Sequence, residues 1–277
     1  MIRSILVALD DTEGAVAARD LALALSRSTG AALSAATVLD WPHARDANEA
    51  VPPGAVAFKE RRDAARVQRL EAEAEQAFVD CTAAAGDTPF TRLRLTDAPE
   101  EALIAAGATH DLIVIGRDST LGLEVNDDGL APVIEALLRG GARPLLVVPP
   151  GKVPAAGGVL VGNDGSVPAM RAMQLFALLG LGKGLPVKVL SVAATQPEAQ
   201  RMAEEGAAYL RGHGLAAEAV AVAGTHPLEA LLAEAAAMPA RLMVMGAYEN
   251  SGLRTFFTGS VTEKLLIGSP CPVFVTH

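Results

Sequence analysis

Ile5-Leu6-Val7-Ala8-Leu9-Asp10-Asp11-Thr12 is a short apolar run that ends in an acid, with a hydroxyl two places later. The pattern returns as Val159-Leu160-Val161-Gly162-Asn163-Asp164-Gly165-Ser166. Three further blocks recur in the same order. Glu100-Glu101-Ala102-Leu103-Ile104 is answered by Pro227-Leu228-Glu229-Ala230-Leu231-Leu232. Asp111-Leu112-Ile113-Val114-Ile115-Gly116 is answered by Arg241-Leu242-Met243-Val244-Met245-Gly246. Arg143-Pro144-Leu145-Leu146-Val147-Val148 is answered by Cys271-Pro272-Val273-Phe274-Val275. Such ordered self-similarity marks an internal repeat, so the chain reads as two copies of one unit.

Pro149-Pro150-Gly151-Lys152-Val153-Pro154-Ala155-Ala156-Gly157 separates the copies. This run can continue neither a helix nor a central strand, which predicts domains over 1–150 and 151–277. Short apolar runs predict strands near 2–9, 31–38, 90–95, 111–116 and 144–148 in the first copy. In the second they fall near 158–162, 186–192, 216–222, 241–246 and 272–275. Helical patterns fill the gaps, among them Glu13 to Arg27 and Pro197 to Arg211. Runs that are apolar throughout belong to strands covered on both faces, hence to parallel sheets with right-handed crossovers. The expected fold class is therefore α/β, as two tandem five-stranded α/β sandwiches. The last strand of each copy is short and begins at a proline, as an edge strand does. The first copy also carries a loop-like insertion over 41–57, after which Phe58 onward turns helical with dense Arg and Glu. That charged helix reads as a solvated face.

Composition narrows the function classes. The 277 residues carry a net charge of −9, which disfavours a general nucleic-acid surface. With 51% hydrophobic but 4% aromatic residues, the cores are built from Ala, Leu and Val. No apolar run approaches the ~18 residues that span a bilayer, and Met1 to Val7 reads as a strand rather than an export signal. The two cysteines, Cys81 and Cys271, fall one per copy without metal-ligand spacing. They read as buried free thiols in a cytoplasmic protein.

Two places in the second copy carry the chemistry. Asp164-Gly165-Ser166 stands at the tip of its first strand, where a carboxylate accepts from ribose hydroxyls or meets a bound Mg²⁺ through water. The segment from Gly246 to Val261 leaves the fourth strand and enters a helix. Gly246 lets backbone approach a ligand, and Gly259 and Ser260 aim N–H groups at one spot before the helix. Ser260 offers a hydroxyl, either as a helix N-cap or as a phosphate donor, and Arg254 supplies a nearby cation. Turn geometry alone would also select these glycines and serines.

On these residues the chain resembles a tandem member of the universal stress protein family, over nearly its full length. The resemblance implies strand order 3-2-1-4-5 in an adenine-nucleotide hydrolase-like fold. Nucleotide-binding members carry G-x2-G-x9-G-[ST] after the fourth strand and an acid after the first. Here Gly246, Gly259 and Ser260 fall at the first, third and fourth motif positions, and Val261 follows. Asp164 takes the acidic position. By the same carry-over Val192 is the backbone contact for adenine, so the implied cofactor is ATP, with or without Mg²⁺. The resemblance also implies that the two copies pair through their last strands as an internal pseudo-dimer, and it leaves further homodimerisation open.

Glu249 departs from the motif by replacing its second glycine. A carboxylate ~4 Å from a phosphate repels it by roughly 4 kcal/mol at an effective dielectric of 20. A bridging Mg²⁺ would reverse that sign, and a side chain turned to solvent would remove it. The first copy departs further: Asp11 replaces the glycine after Asp10, Ser119 the second motif glycine, and Leu130 the hydroxyl after Gly129. Its loop adds Glu124, Asp127 and Asp128. It reads as a structural partner without a triphosphate.

No nucleophile-base pair stands at a recognisable spacing, and His43, His110, His213, His226 and His277 are scattered. No catalytic residue is therefore assigned, and activity is limited to slow ATP hydrolysis. Three readings follow: a nucleotide-binding stress or regulatory protein, a stress or scaffold protein acting through protein contacts or another small ligand, and an enzyme of the related hydrolase-like fold. The last would show an S-G-G-x-D-S loop at the first strand, which neither copy has.

Overall fold

A computed structural model of the chain describes residues 1–44, 52–121, 130–154, 156–247 and 261–277. The first half opens with β1 (Ser4–Ala8), buried along almost its whole length as its unbroken apolar run requires. Thr12 caps α1 (Glu13–Thr29) by accepting from the Ala15 N–H, and Gly30 ends it in the left-handed region at φ 72°. Then come β2 (Ala32–Val38), the short α2 (Trp41–Ala44), a 3₁₀ turn over Pro53–Ala55 and the long α3 (Val56–Ala85). β3 (Thr91–Leu95), α4 (Pro99–Gly107), β4 (Leu112–Gly116), α5 (Pro132–Gly140) and β5 (Leu145–Val148) complete the half.

The second half repeats the order as β6 (Val159–Gly162), α6 (Val167–Leu179), β7 (Pro186–Ala193), α7 (Gln196–Gly212) and β8 (Ala216–Ala223). It ends with α8 (Pro227–Ala237), β9 (Leu242–Gly246), α9 (Val261–Gly268) and β10 (Val273–Thr276). Ser166 caps α6 as Thr12 caps α1, accepting from the Ala169 N–H, and Gly180 closes it at φ 75°. The repeat seen in sequence is thus a repeat of caps as well as of strands.

The ten strands of the described residues form one sheet in the order β3-β2-β1-β4-β5-β10-β9-β6-β7-β8. Each half contributes a 3-2-1-4-5 order, and pairing within each half is parallel. The halves meet at an antiparallel seam, where β5 and β10 pair with Leu146 opposite Phe274. The proline-led strands are edges of their own halves, as the sequence suggests, but they become the centre of the molecule. The outer edges are β3 and β8. Part of the β8 edge is covered by α7, since Arg211 Nη1 donates to Ala217 O at 3.1 Å and Gln196 Nε2 to Ala221 O at 3.2 Å.

Helices cover both faces of the sheet. One apolar layer gathers Leu23, Phe78, Phe176 and Leu210 beneath α1, α3, α6 and α7. The other gathers Leu103, Ile134, Leu231 and Leu265 beneath α4, α5, α8 and α9. Each layer runs through both halves, and Phe176 meets Phe274 edge-to-face at 6.3 Å. Cys81 and Cys271 are free and buried, one in each layer, as the sequence suggested. The seam is tied further by Arg117. Its Nη1 donates to Ile267 O at 2.6 Å and Ser269 O at 3.1 Å, at the C-terminal end of α9.

Candidate functional site

Residues at the tip of β6 divide between structure and surface chemistry. Asn163 is buried, donates from Nδ2 to Met202 O at 2.8 Å and accepts from the Gly165 N–H at 3.0 Å. That anchors the turn against α7. Gly165 sits at φ +76°, which favours glycine whatever the ligand. Asp164 is exposed, and its Oδ1 accepts from the Ser166 N–H at 2.9 Å. Its Oδ2 makes no hydrogen bond among the described residues. Ser166 is engaged as the α6 cap. Of the predicted triplet, Asp164 is therefore the residue with a spare acceptor.

A cavity of about 140 Å³ opens beside this tip. It brings together the predicted residues Asp164, Ser166, Val192, Gly246 and Val261. Apolar walls come from Leu190, Leu231 and Met245, which the sequence reading did not single out. The signal was present in their alternation within apolar runs, but nothing local told which of them would end at a cavity. Gly246 has a packing reason of its own. A Cβ there would lie 2.3 Å from the Pro168 carbonyl carbon and 2.5 Å from Ala169 N, so β9 meets the start of α6 only without a side chain. Gly116 stands equally close to the start of α1, at 2.4 Å from Ala15 N. Gly165 is absent from the cavity lining. Glu249, Arg254, Gly259 and Ser260 lie outside the described residues. Thr262, on the first turn of α9, is buried with its hydroxyl unpartnered among the described residues.

The matching tip of the first half is built differently. Asp10 Oδ1 accepts from the Thr12 N–H at 3.0 Å and the Thr12 hydroxyl at 2.7 Å, and Oδ2 accepts from the Leu121 N–H at 3.2 Å. Both carboxylate oxygens are thus spent on holding the chain. Burial pushes the Asp10 pKa above its ordinary value, and the bonds from Thr12 and Leu121 oppose that rise. Leu121 stands at φ +48° with its side chain 3% exposed, in the same apolar layer as Ala8, Val38 and Leu103. Leu130 is buried in that layer too. Glu124, Asp127, Asp128 and Gly129 lie outside the described residues.

Histidines are spread over unrelated places. His110 pairs with Ser34 Oγ and Ala106 O, His213 packs against Tyr209, and His226 stands at the N-cap position of α8 without a side-chain cap bond. Among the described residues, no three of His, Cys, Asp and Glu gather as a metal site, and no helix is long and apolar enough to cross a membrane.

The model of the universal stress protein family matches residues 1–149 and again 158–277. No curated protein matches the chain. Among solved structures, a universal stress protein from Archaeoglobus fulgidus DSM 4304 superposes with a TM-score of 0.71 at 17% identity, covering 99% of this chain and 97% of that one. A protein of unknown function from Pseudomonas aeruginosa PAO1 superposes with a TM-score of 0.58 at 18% identity, over 99% of this chain and 92% of that one. At such identities the likeness speaks for the fold.

Proposed function

Since the chain belongs to the universal stress protein family, we propose that it is a cytoplasmic stress or regulatory protein that binds ATP in its C-terminal half. The observation that carries this reading is the spare Oδ2 of Asp164 at the rim of a cavity walled by Leu190, Leu231 and Met245. A carboxylate acceptor beside an apolar slot suits a ribose edge and a flat base. In this reading the base lies against Val192, and Asp164 accepts from the ribose hydroxyls. Phosphates extend toward Gly259 and Ser260, where the N-terminus of α9 adds a favourable dipole. The N-terminal half is the structural partner, because Asp10 is engaged and Leu121 is packed into its apolar layer.

The cavity's size supports a second reading. About 140 Å³ is below the ~300–1,000 Å³ of pockets that enclose a whole drug-sized ligand. A smaller ligand, or action through protein contacts, draws on that figure. Calorimetric titration with ATP, ADP and AMP, with and without Mg²⁺, separates the two. Saturable ATP binding that disappears in Ser260→Ala with Gly259→Val supports the first reading. No saturation at about 1 mM ligand, equivalent to a binding free energy weaker than about −4 kcal/mol, sinks it. Glu249→Gly tightens Mg²⁺-free binding if the carboxylate faces the phosphates; unchanged affinity places it elsewhere.

A further inference from the structure

Arg117 reaches out of the half it belongs to. It follows Gly116 at the end of β4, where its N–H donates to Val148 O at 2.8 Å and its carbonyl accepts from the Ala131 N–H at 2.7 Å. From that fixed backbone the guanidinium crosses the seam to the far end of α9, where it meets Ile267 O and Ser269 O. The last carbonyls of a helix have no partner within it, so these bonds fill places that water or a cap would otherwise take. Burial lowers the Arg117 pKa from its ordinary value, and the Asp118 charge opposes that fall. The negative end of the α9 dipole is a favourable place for such a half-buried cation.

The tie runs from the first half to the second and is not returned. Ala247 holds the matching position after Gly246 and repeats the backbone bond, its N–H donating to Thr276 O at 2.7 Å. Its side chain has no donor, so the end of α5 gains no such bond from that position. α5 closes on its own half instead, with the Gly141 N–H donating to Leu137 O at 2.8 Å. α9 has eight residues, about 12 Å of helix at a rise of ~1.5 Å per residue. An isolated helix that short is marginal, so its placement comes from what grips it. Leu265 and Leu266 pack into the apolar layer, and Arg117 grips the C-terminal end. At the other end, Val261 lines the cavity beside Asp164.

We propose that Arg117 is a positioning residue for the site of the second half: by holding α9 from across the seam, it sets how firmly that site grips phosphate. The inference rests on the ATP reading above. A two-turn helix moves as a rod, so releasing its C-terminal end shifts the first-turn N–H groups that favour an anion. The base and ribose ends of the ligand are served by Val192 on β7 and Asp164 at the tip of β6, which do not depend on α9. Arg117 therefore acts on the phosphate end alone. On this account the first half is more than a structural partner, since it supplies the anchor that its own α5 lacks.

The test compares the full chain with Arg117→Met, which keeps the length and packing of the side chain but removes its donors, and with Arg117→Lys, which keeps the charge. Circular dichroism checks the fold of each. ATP binding is read by calorimetry and adenosine binding by ligand-observed NMR. Arg117→Met should weaken ATP by about tenfold while adenosine stays within about twofold, and Arg117→Lys should recover part of the ATP loss. Amide hydrogen exchange on the ligand-free chain should quicken in α9 of Arg117→Met and stay unchanged in α5. ATP affinity within about twofold of wild type, or an equal loss for adenosine, overturns the proposal. Unchanged exchange in α9 overturns the tie itself. Wild type that binds no ATP fails the reading on which the inference rests, and the exchange result then decides separately whether the first half holds α9.

Discussion

Asp10 and Asp164 stand at matching strand tips with different partners. Asp164 is exposed with one oxygen spare, whereas Asp10 is half-buried and holds Thr12 and Leu121. The raised pKa of Asp10 has a consequence for stability. A group whose folded pKa lies above its unfolded value stabilises fully below the unfolded value and loses that contribution as pH rises through the folded one. Here the loss begins near the ordinary aspartate value of 3.8 and continues upward. Chemical denaturation of wild type and Asp10→Asn between about pH 4 and pH 6 reads it directly. Wild type should lose stability relative to the amide as pH rises. The constant difference in hydrogen bonding between acid and amide cancels from the slope. The opposite slope would mean that the donors from Thr12 and Leu121 outweigh burial.

Among the elements, the strands were the most legible. Each predicted strand lies within two residues of an observed bound, because strands buried on both faces leave unbroken apolar runs. Thr12 and Ser166 were equally readable in position, but their capping role and a ligand role share the same sequence signal. The reach of α3 was not legible. Its Arg and Glu density marks solvent exposure, and nothing in that pattern states which strand tips the helix overhangs. Arg117 shows the same limit, since a cationic residue just after a strand does not announce a partner about 150 positions away. Its bonds cap the carbonyls of α9, where a cation also meets the negative end of the helix dipole. Arg117→Ala should therefore destabilise the protein by about 1–3 kcal/mol in urea denaturation, with Arg117→Lys recovering part of that loss. A change under about 0.5 kcal/mol would show that α9 needs no cap from the first half.

For the whole molecule, the seam between β5 and β10 turns a sequence repeat into one sheet with shared apolar layers. Symmetry of the fold is not matched by symmetry of the tips. The second half keeps a spare acid beside an apolar cavity, and the first places Leu121 in its core and extends α3 over a polar one. In the proposed reading one half of this pseudo-dimer, the C-terminal one, holds ATP. Calorimetric titration of the full chain with ATP and Mg²⁺, in wild type and in Asp164→Ala, tests it most directly. One site per chain in wild type, weakened about tenfold or more in Asp164→Ala with the fold intact, is the expected result. Two equivalent sites, or an affinity indifferent to Asp164→Ala, would contradict it.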